Sequence, residues 1–279
     1  MLFHIKHTTR YSYSRTVFCE PFLLRLRPRE DSSQRLVRFQ RTIHPQPAGV
    51  SEILDVEGYT SSHCWLNGPT CLLTVTVNSV VETLRTNPFD FLLENSAIEL
   101  PVPYRPELCP ALVPYRTVSQ PSAAVQELAD RIKAEVGQKT VQFLVQLAAW
   151  INQNLEMTIR PIGDPFPAEM TLQAREGSCR DLTVLFIEAC RSVGLASRFV
   201  SGYQALAAPN GERHLHAWAE VFLPGAGWRG FDPGQGLAVA DQHVAVASGL
   251  NAQAAAPVVG TFRGNGNSSL ETQVVIRVT

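Results

Sequence analysis

The chain has 279 residues, enough for one large domain or two modest ones, either of which can bury a core. With 45% apolar and 18% charged residues it reads as globular, not disordered. Its 24 basic and 25 acidic residues give a net charge of -1, so no nucleic-acid or membrane-surface partner is expected.

Met1 to Arg10 holds His4, Lys6, His7 and Arg10 and lacks a continuous apolar stretch. No run of about 18 apolar residues occurs anywhere. The sequence therefore predicts no signal peptide, no membrane span and a cytoplasmic location. The six cysteines, at positions 19, 64, 71, 109, 179 and 190, form no C-x-x-C pair. Most are expected as reduced thiols packed like small hydrophobes, with no structural zinc.

Residues 1–92 read as β structure. Leu2–His7 and Arg25–Pro28 are short segments beside turn residues, and Leu36–Ile43 comes close to alternation. Cys71–Val81 is the clearest strand, rich in β-branched residues. Breaks at Pro45–Gly49 and Asn67–Pro69 separate the runs. Closely spaced short strands of this kind predict a small antiparallel β-sandwich.

Residues 93–120 carry Pro101, Pro103, Pro106, Pro110 and Pro114. That density predicts an extended linker without regular helix. Helical spacing begins at Ser122: apolar positions 125, 128, 129 and 132 predict a helix to Val136, stopped by Gly137. Positions 141, 144, 145, 148 and 151 predict a second helix over Thr140–Leu155. After the turn-rich 160–167, positions 182, 185, 186, 189, 190 and 193 predict a third helix over Ser178–Val193, capped by Gly194. Strands are then expected over Ser197–Ala205, His216–Leu223, Trp228–Asp232 and Thr272–Val278. Residues 121–279 thus read as an α+β domain, helices packed on an antiparallel sheet.

Three residues stand out chemically. Cys179 lies at the start of the third helix, where the partial positive charge of a helix N-terminus stabilises a thiolate. Gly177, two residues earlier, permits close backbone approach. His214 and His216 point to one face of a strand, and either could serve as base to Cys179. As a pair they could also bind metal, but no further ligand is evident. Asp232, at the end of an apolar strand and before Pro233, is placed to accept a hydrogen bond from an imidazole and set its tautomer.

At these residues the chain resembles the bacterial transglutaminase-like superfamily of papain-like cysteine enzymes. Gly177-Ser178-Cys179-Arg180-Asp181 is similar to the family's glycine-x-cysteine-x-aspartate segment. Cys190–Tyr203 resembles its arginine-to-glycine-tyrosine stretch, His216-Ala217-Trp218 its histidine-alanine-tryptophan core, and Phe231-Asp232-Pro233 its aspartate motif. The first 80 or so residues resemble the family's β-rich N-terminal region. The family's usual serine before the histidine is Leu215 here, and its usual threonine after aspartate-proline is Gly234.

The resemblance implies Cys179 as nucleophile, His216 and not His214 as base, and Asp232 as orienter. It also makes Gln173, six residues before Cys179, a candidate oxyanion donor. Ser178 and Trp218 are further candidates for contacts around the substrate. The expected reaction is acyl transfer at an amide through a thioester, resolved by water (peptidase or amidase) or by an amine (transglutaminase), with no cofactor. The rivals are a binding module that lost turnover and a metalloenzyme using His214 and His216. Asp181 is expected to serve the helix dipole, with Arg198 a conceivable partner. The segments 93–120 and 206–213 are expected to set how open the groove is.

Overall fold

The computed structural model describes residues 1–160, 162–206 and 213–279. Its first part is a strand-rich unit of β1 (Leu2–Cys19), β2 (Phe22–Leu24), β3 (Gln34–His44), β4 (Gly49–Leu54), β5 (Thr60–Trp65) and β6 (Thr70–Thr83). Long alternation drives these strands. β1 runs for 18 residues, well past the short segment that its first residues predict, and buries Phe3, Ile5, His7 and Thr9 on one face. β1 and β3 flank β6, all antiparallel, in one sheet; β4, β5 and β2 form the core of a second. Val17, Cys19, Phe22, Leu24, Cys64, Leu73 and Val75 pack between the two sheets as the interior of a sandwich.

The middle of the chain is helical: α1 (Cys109–Arg116), α2 (Ala123–Glu135) and α3 (Thr140–Asn154) precede β7 (Glu156–Met157), α4 (Ala168–Ala174), β8 (Glu176–Gly177) and α5 (Cys179–Ser192). α1 corrects the expectation of an extended linker. Pro110 falls in the first turn, where a missing N–H costs no intrahelical bond. Leu100, Val102, Tyr104 and Leu112 of the same segment are buried in the large core with α2, α3 and α5. The Tyr104 hydroxyl donates to the Phe222 carbonyl at 3.0 Å and accepts Ala196 N–H at 2.8 Å. Residues 93–120 are thus part of the helical unit's packing.

A five-stranded antiparallel sheet follows, in the order β12 (Leu237–Ala238), β11 (Gly227–Asp232), β10 (His216–Leu223), β9 (Ser197–Gln204), β13 (His243–Gly249). Ala217, Ala219 and Val221 of β10 face α5 and the helical core. Trp218 and Glu220, one residue out of phase, face the other way, toward the strand-rich unit.

The chain then returns. β14 (Val258–Val259) pairs with β2, β15 (Phe262–Arg263) with the end of β1, and β16 (Ser268–Val278) runs along β1 from Phe3↔Val278 to Tyr13↔Ser268. The last twenty or so residues, grouped by sequence order with the second domain, complete the sheets of the first. An apolar cluster of Phe3, Ile5, Val81, Val274 and Ile276 with Tyr203, Val244 and Val246 joins the two units. Among the described residues no helix is long and apolar enough to cross a membrane. All six cysteines are free; Cys109 is half-buried and packed against the large core, whereas Cys71 is exposed and so is not the packed hydrophobe expected.

Candidate active site

Cys179 is the first residue of α5 and is half-buried. Its position is held from below. The Asp181 carboxylate accepts the Ser178 N–H at 2.7 Å and the Ser178 hydroxyl at 2.6 Å, closing the helix N-terminus. Asp181 also receives the Phe166 N–H at 2.7 Å and the Arg160 guanidinium at 2.6 Å. Fully buried and fully bonded, Asp181 is part of the scaffold, as expected. Its cation is Arg160, however, and not Arg198. Gly177 fits tightly here: a Cβ would stand 2.8 Å from the Asp181 Cβ.

His216 opens β10, and Asp232 closes β11. The antiparallel register that pairs Ala219 with Phe231 brings these two strand ends together. His216 Nε2 lies 2.7 Å from Asp232 Oδ2, and both side chains are buried. That contact leaves Nδ1 free of Asp232, and Cys179, which lines the same cleft as His216, lies close enough to act on the ring's charge. Burial disfavours the imidazolium, but Asp232 outweighs it, with Cys179 adding to the effect, and the His216 pKa rises to about 10. The Asp232 carboxyl, against its own burial, is held well below the usual carboxylate range by His216 and by a second histidine, His243.

His243 is a residue that the sequence reading missed. Its Nε2 lies 2.9 Å from the same Asp232 Oδ2, and its ring stands edge-on to Trp218 at 5.2 Å. Gly234 and Gln235 donate their N–H groups to Asp232 Oδ1 at 2.9 and 3.2 Å. Four donors therefore fix the carboxylate. A signal existed in the alternating run His243-Val244-Ala245-Val246, which reads as a strand, but nothing local ties it to Asp232. Gly202 makes room for this layer, since a Cβ there would meet the Trp218 ring at 2.5 Å and the Val244 carbonyl at 2.2 Å.

His216, Asp232 and His243 are also the one trio of metal-type ligands found among the described residues, with ligand atoms within 4.8 Å of one another. Their 2.7 and 2.9 Å contacts are hydrogen-bond lengths. Ligands at about 2.0–2.2 Å from one tetrahedral zinc would stand roughly 3.3 Å apart, so the spacing fits a bonded network better than a metal cage. Of the rival metal pair His214 and His216, this trio contains only His216.

A cleft of ≈ 600 Å³ opens over Cys179 and His216, between the two units. Ser178, Arg180 and His214 line it from the second unit; Thr9, Tyr11 and Thr272 line it from the first. Of the segment 206–213 expected to bound the groove, Leu206 and Arg213 line it, and 207–212 lie outside the described residues. No residue of 93–120 lines it. Two candidates fall outside. Gln173 is exposed on α4 and bonds Glu169 at 3.1 Å, so it cannot serve Cys179 as an oxyanion donor. Trp218 is 1% exposed and packs behind His216, not in the cleft.

Behind the sheet lies a second buried charge cluster. Glu220 receives Arg29 and, at 2.8–2.9 Å, Arg198; Arg198 also bonds Glu57 at 2.9 Å. Tyr59 accepts from Arg198 at 3.0 Å. Arg29, Glu57 and Tyr59 come from the strand-rich unit, so this cluster and the apolar one weld the two units together. Burial would raise the Glu220 pKa; the two arginines lower it to about 2.

Residues 3–82 match the family model of the bacterial transglutaminase-like N-terminal region, and residues 126–233 that of the transglutaminase-like superfamily. An uncharacterised protein of Mycobacterium tuberculosis is 26% identical over 96% of this chain and 90% of its own length. One of Mycobacterium leprae is 26% identical over 99% of this chain and 97% of its own. The fold is similar to that of a proposed cysteine protease from Cytophaga hutchinsonii, with TM-score 0.72 at 20% identity, covering 100% of this chain and 91% of the other.

Proposed function

We propose that this chain, a transglutaminase-like superfamily protein with the bacterial transglutaminase-like N-terminal region, is a cysteine-dependent acyl-transfer enzyme acting on amides, with water as the final acceptor. The observation that carries the reading is the convergence on one imidazole: Asp232 bonded to Nε2, with Cys179 lining the same cleft and near enough to act on the ring's charge. A raised His216 pKa favours a thiolate–imidazolium pair over the neutral pair.

In the mechanism, the Cys179 sulfur attacks the amide carbonyl carbon and a C–S bond forms. The oxyanion forms at the start of α5, where the backbone N–H of Cys179 is the available donor. His216 gives its proton to the leaving amine as the C–N bond breaks. Neutral His216 then takes a proton from water, whose oxygen attacks the thioester, and the thiolate leaves. Asp232 keeps the ring oriented throughout and favours the imidazolium. An amine entering in place of water would give transamidation, the alternative outcome of the same site.

The test is a thiol-directed activity probe on the wild type and on Cys179→Ala, followed by a peptide-amide substrate screen with and without added primary amine. Fast labelling at neutral pH that disappears in the variant, with amide cleavage, is expected. Equal labelling of both proteins would remove Cys179 from the site.

A further inference from the structure

The cleft has an imbalance of charge that the reaction itself does not need. Among the described residues, Arg160, Arg180 and Arg213 line it, against the single carboxylate of Asp164. Arg160 is accounted for by its ion pair with buried Asp181. Arg180 and Arg213 are not. Arg180 donates to the Arg160 carbonyl at 2.6 Å, and Arg213 to the carbonyls of Gln204 and Ala205. Among the described residues neither lies within ion-pair distance of a carboxylate. The facing wall adds none: Thr9, Tyr11 and Thr272 present hydroxyls.

Arg180 is also in a costly place. It is the second residue of α5, in a first turn whose dipole repels cations and favours anions. Nothing in helix formation asks for an arginine there; glutamate or glutamine would suit the turn better. A residue that breaks a local rule in a cleft beside a nucleophile is best explained by what enters the cleft. Arginine suits carboxylate recognition because its planar fork presents paired donors.

Resting on the nucleophile reading above, we infer that the cleft takes an anionic substrate: an amide bearing a carboxylate that Arg180 and Arg213 receive. The carboxylate belongs to an acidic side chain or to a chain terminus near the scissile bond. The remainder of the cleft, with Met157, Phe199, Leu215 and Leu270 in its walls, takes apolar groups.

The test compares two alkylating probes of nearly equal size, iodoacetate and iodoacetamide. In each the sulfur of Cys179 displaces iodide, a C–S bond replacing a C–I bond. Rates at Cys179 are read by mass spectrometry at low salt and normalised to a small neutral thiol. The wild type should favour iodoacetate by about tenfold, a preference that salt weakens. Arg180→Gln and Arg213→Gln should each cut that preference about threefold, and Arg180→Lys and Arg213→Lys should keep most of it. The lysine variants guard against a misfolded glutamine variant, because the comparison of charge then runs between lysine and wild type under added salt. The His216 imidazolium also attracts iodoacetate, but it is common to all the variants. An unchanged preference in both glutamine variants overturns the inference while leaving the nucleophile in place. Iodoacetamide labelling no faster than the free thiol overturns the nucleophile instead.

Acetylated dipeptide amides containing glutamate or glutamine, and the glutamine peptide with a free C-terminal carboxylate, identify the source of the charge by how well each protects Cys179 from iodoacetamide. Better protection by the glutamate peptide assigns a side-chain carboxylate, and better protection by the free terminus assigns a terminal one. Equal protection by all three overturns the inference.

Discussion

Two buried carboxylates sit on neighbouring strands of one sheet and both are held ionised, yet they do different work. Glu220, on β10, is enclosed by Arg29 and Arg198, cations that do not release protons near neutral pH. Asp232, on β11, is enclosed by two imidazoles, one of which, His216, carries a proton that a leaving group can take. A depressed carboxylate alone therefore marks neither region as a site of chemistry. The difference lies in the partner's ability to titrate and in access to a nucleophile: His216 reaches Cys179 and the cleft, whereas Glu220 reaches only the joint between the units.

The comparison breaks most sharply at Cys179. Cys179→Ala should lower amide turnover by about 10⁴-fold or more and change stability by no more than about 0.5 kcal/mol, since the thiol is half-buried at a helix end. Turnover assays and urea unfolding on one preparation check both halves. Glu220→Gln should do the reverse in kind. It leaves Arg29 and Arg198 short of a buried anion and should cost about 3–5 kcal/mol, read as a lower urea midpoint. A loss of turnover in that variant without a loss of stability would erase the difference between the two carboxylates.

The pH dependence sharpens it. Glu220 has a lowered pKa, so its stabilisation is present above the ordinary carboxylate range and is lost as pH falls toward about 2. His216 has a raised pKa, so its contribution is full below the ordinary histidine range and is lost as pH rises through about 10. Amide turnover should accordingly keep its protonated histidine at neutral pH and fall on an alkaline limb near 10. In Glu220→Gln the acid limb of stability should flatten while the alkaline limb of turnover stays.

His7 gives a third handle. Buried on β1 and bonded to Tyr203 Oη at 2.9 Å, it has a pKa lowered to about 4 by burial. The unfolded chain therefore binds a proton that the folded one refuses between about 6.5 and 4. Stability should fall over that interval by up to about 3 kcal/mol and fall less in His7→Gln. The smallest effect is expected at His243. His243→Leu removes one of the four donors on Asp232 and should reduce turnover about tenfold; His243→Gln, which can still donate, should recover most of it.

Much of the helical unit was legible in the chain. α2, α3 and α5 follow from apolar spacing and from Ser122, Ser178, Gly137 and Gly194 at their ends, and β10 has the bounds that its pattern predicts. These features depend on contacts within a few residues, where periodicity and capping act. α1 was hidden because five prolines outweigh a short pattern, although proline in a first turn is harmless. Gln173 misled because an offset along the chain says nothing of direction: the turn of α4 sends it to solvent.

By itself, then, the sequence determined the local pieces and placed the thiol, the imidazole and the carboxylate at element ends where side chains can meet. The tertiary structure alone decided which partners they found. His243 shares an oxygen with His216 from two strands away in the sheet, Glu220 is held by an arginine 191 residues away, and β16 closes a sheet that began with β1. Such pairings arise from strand order and burial, which no short-range pattern encodes, because the hydrogen bonds and apolar contacts that reward them exist only once the chain ends have met.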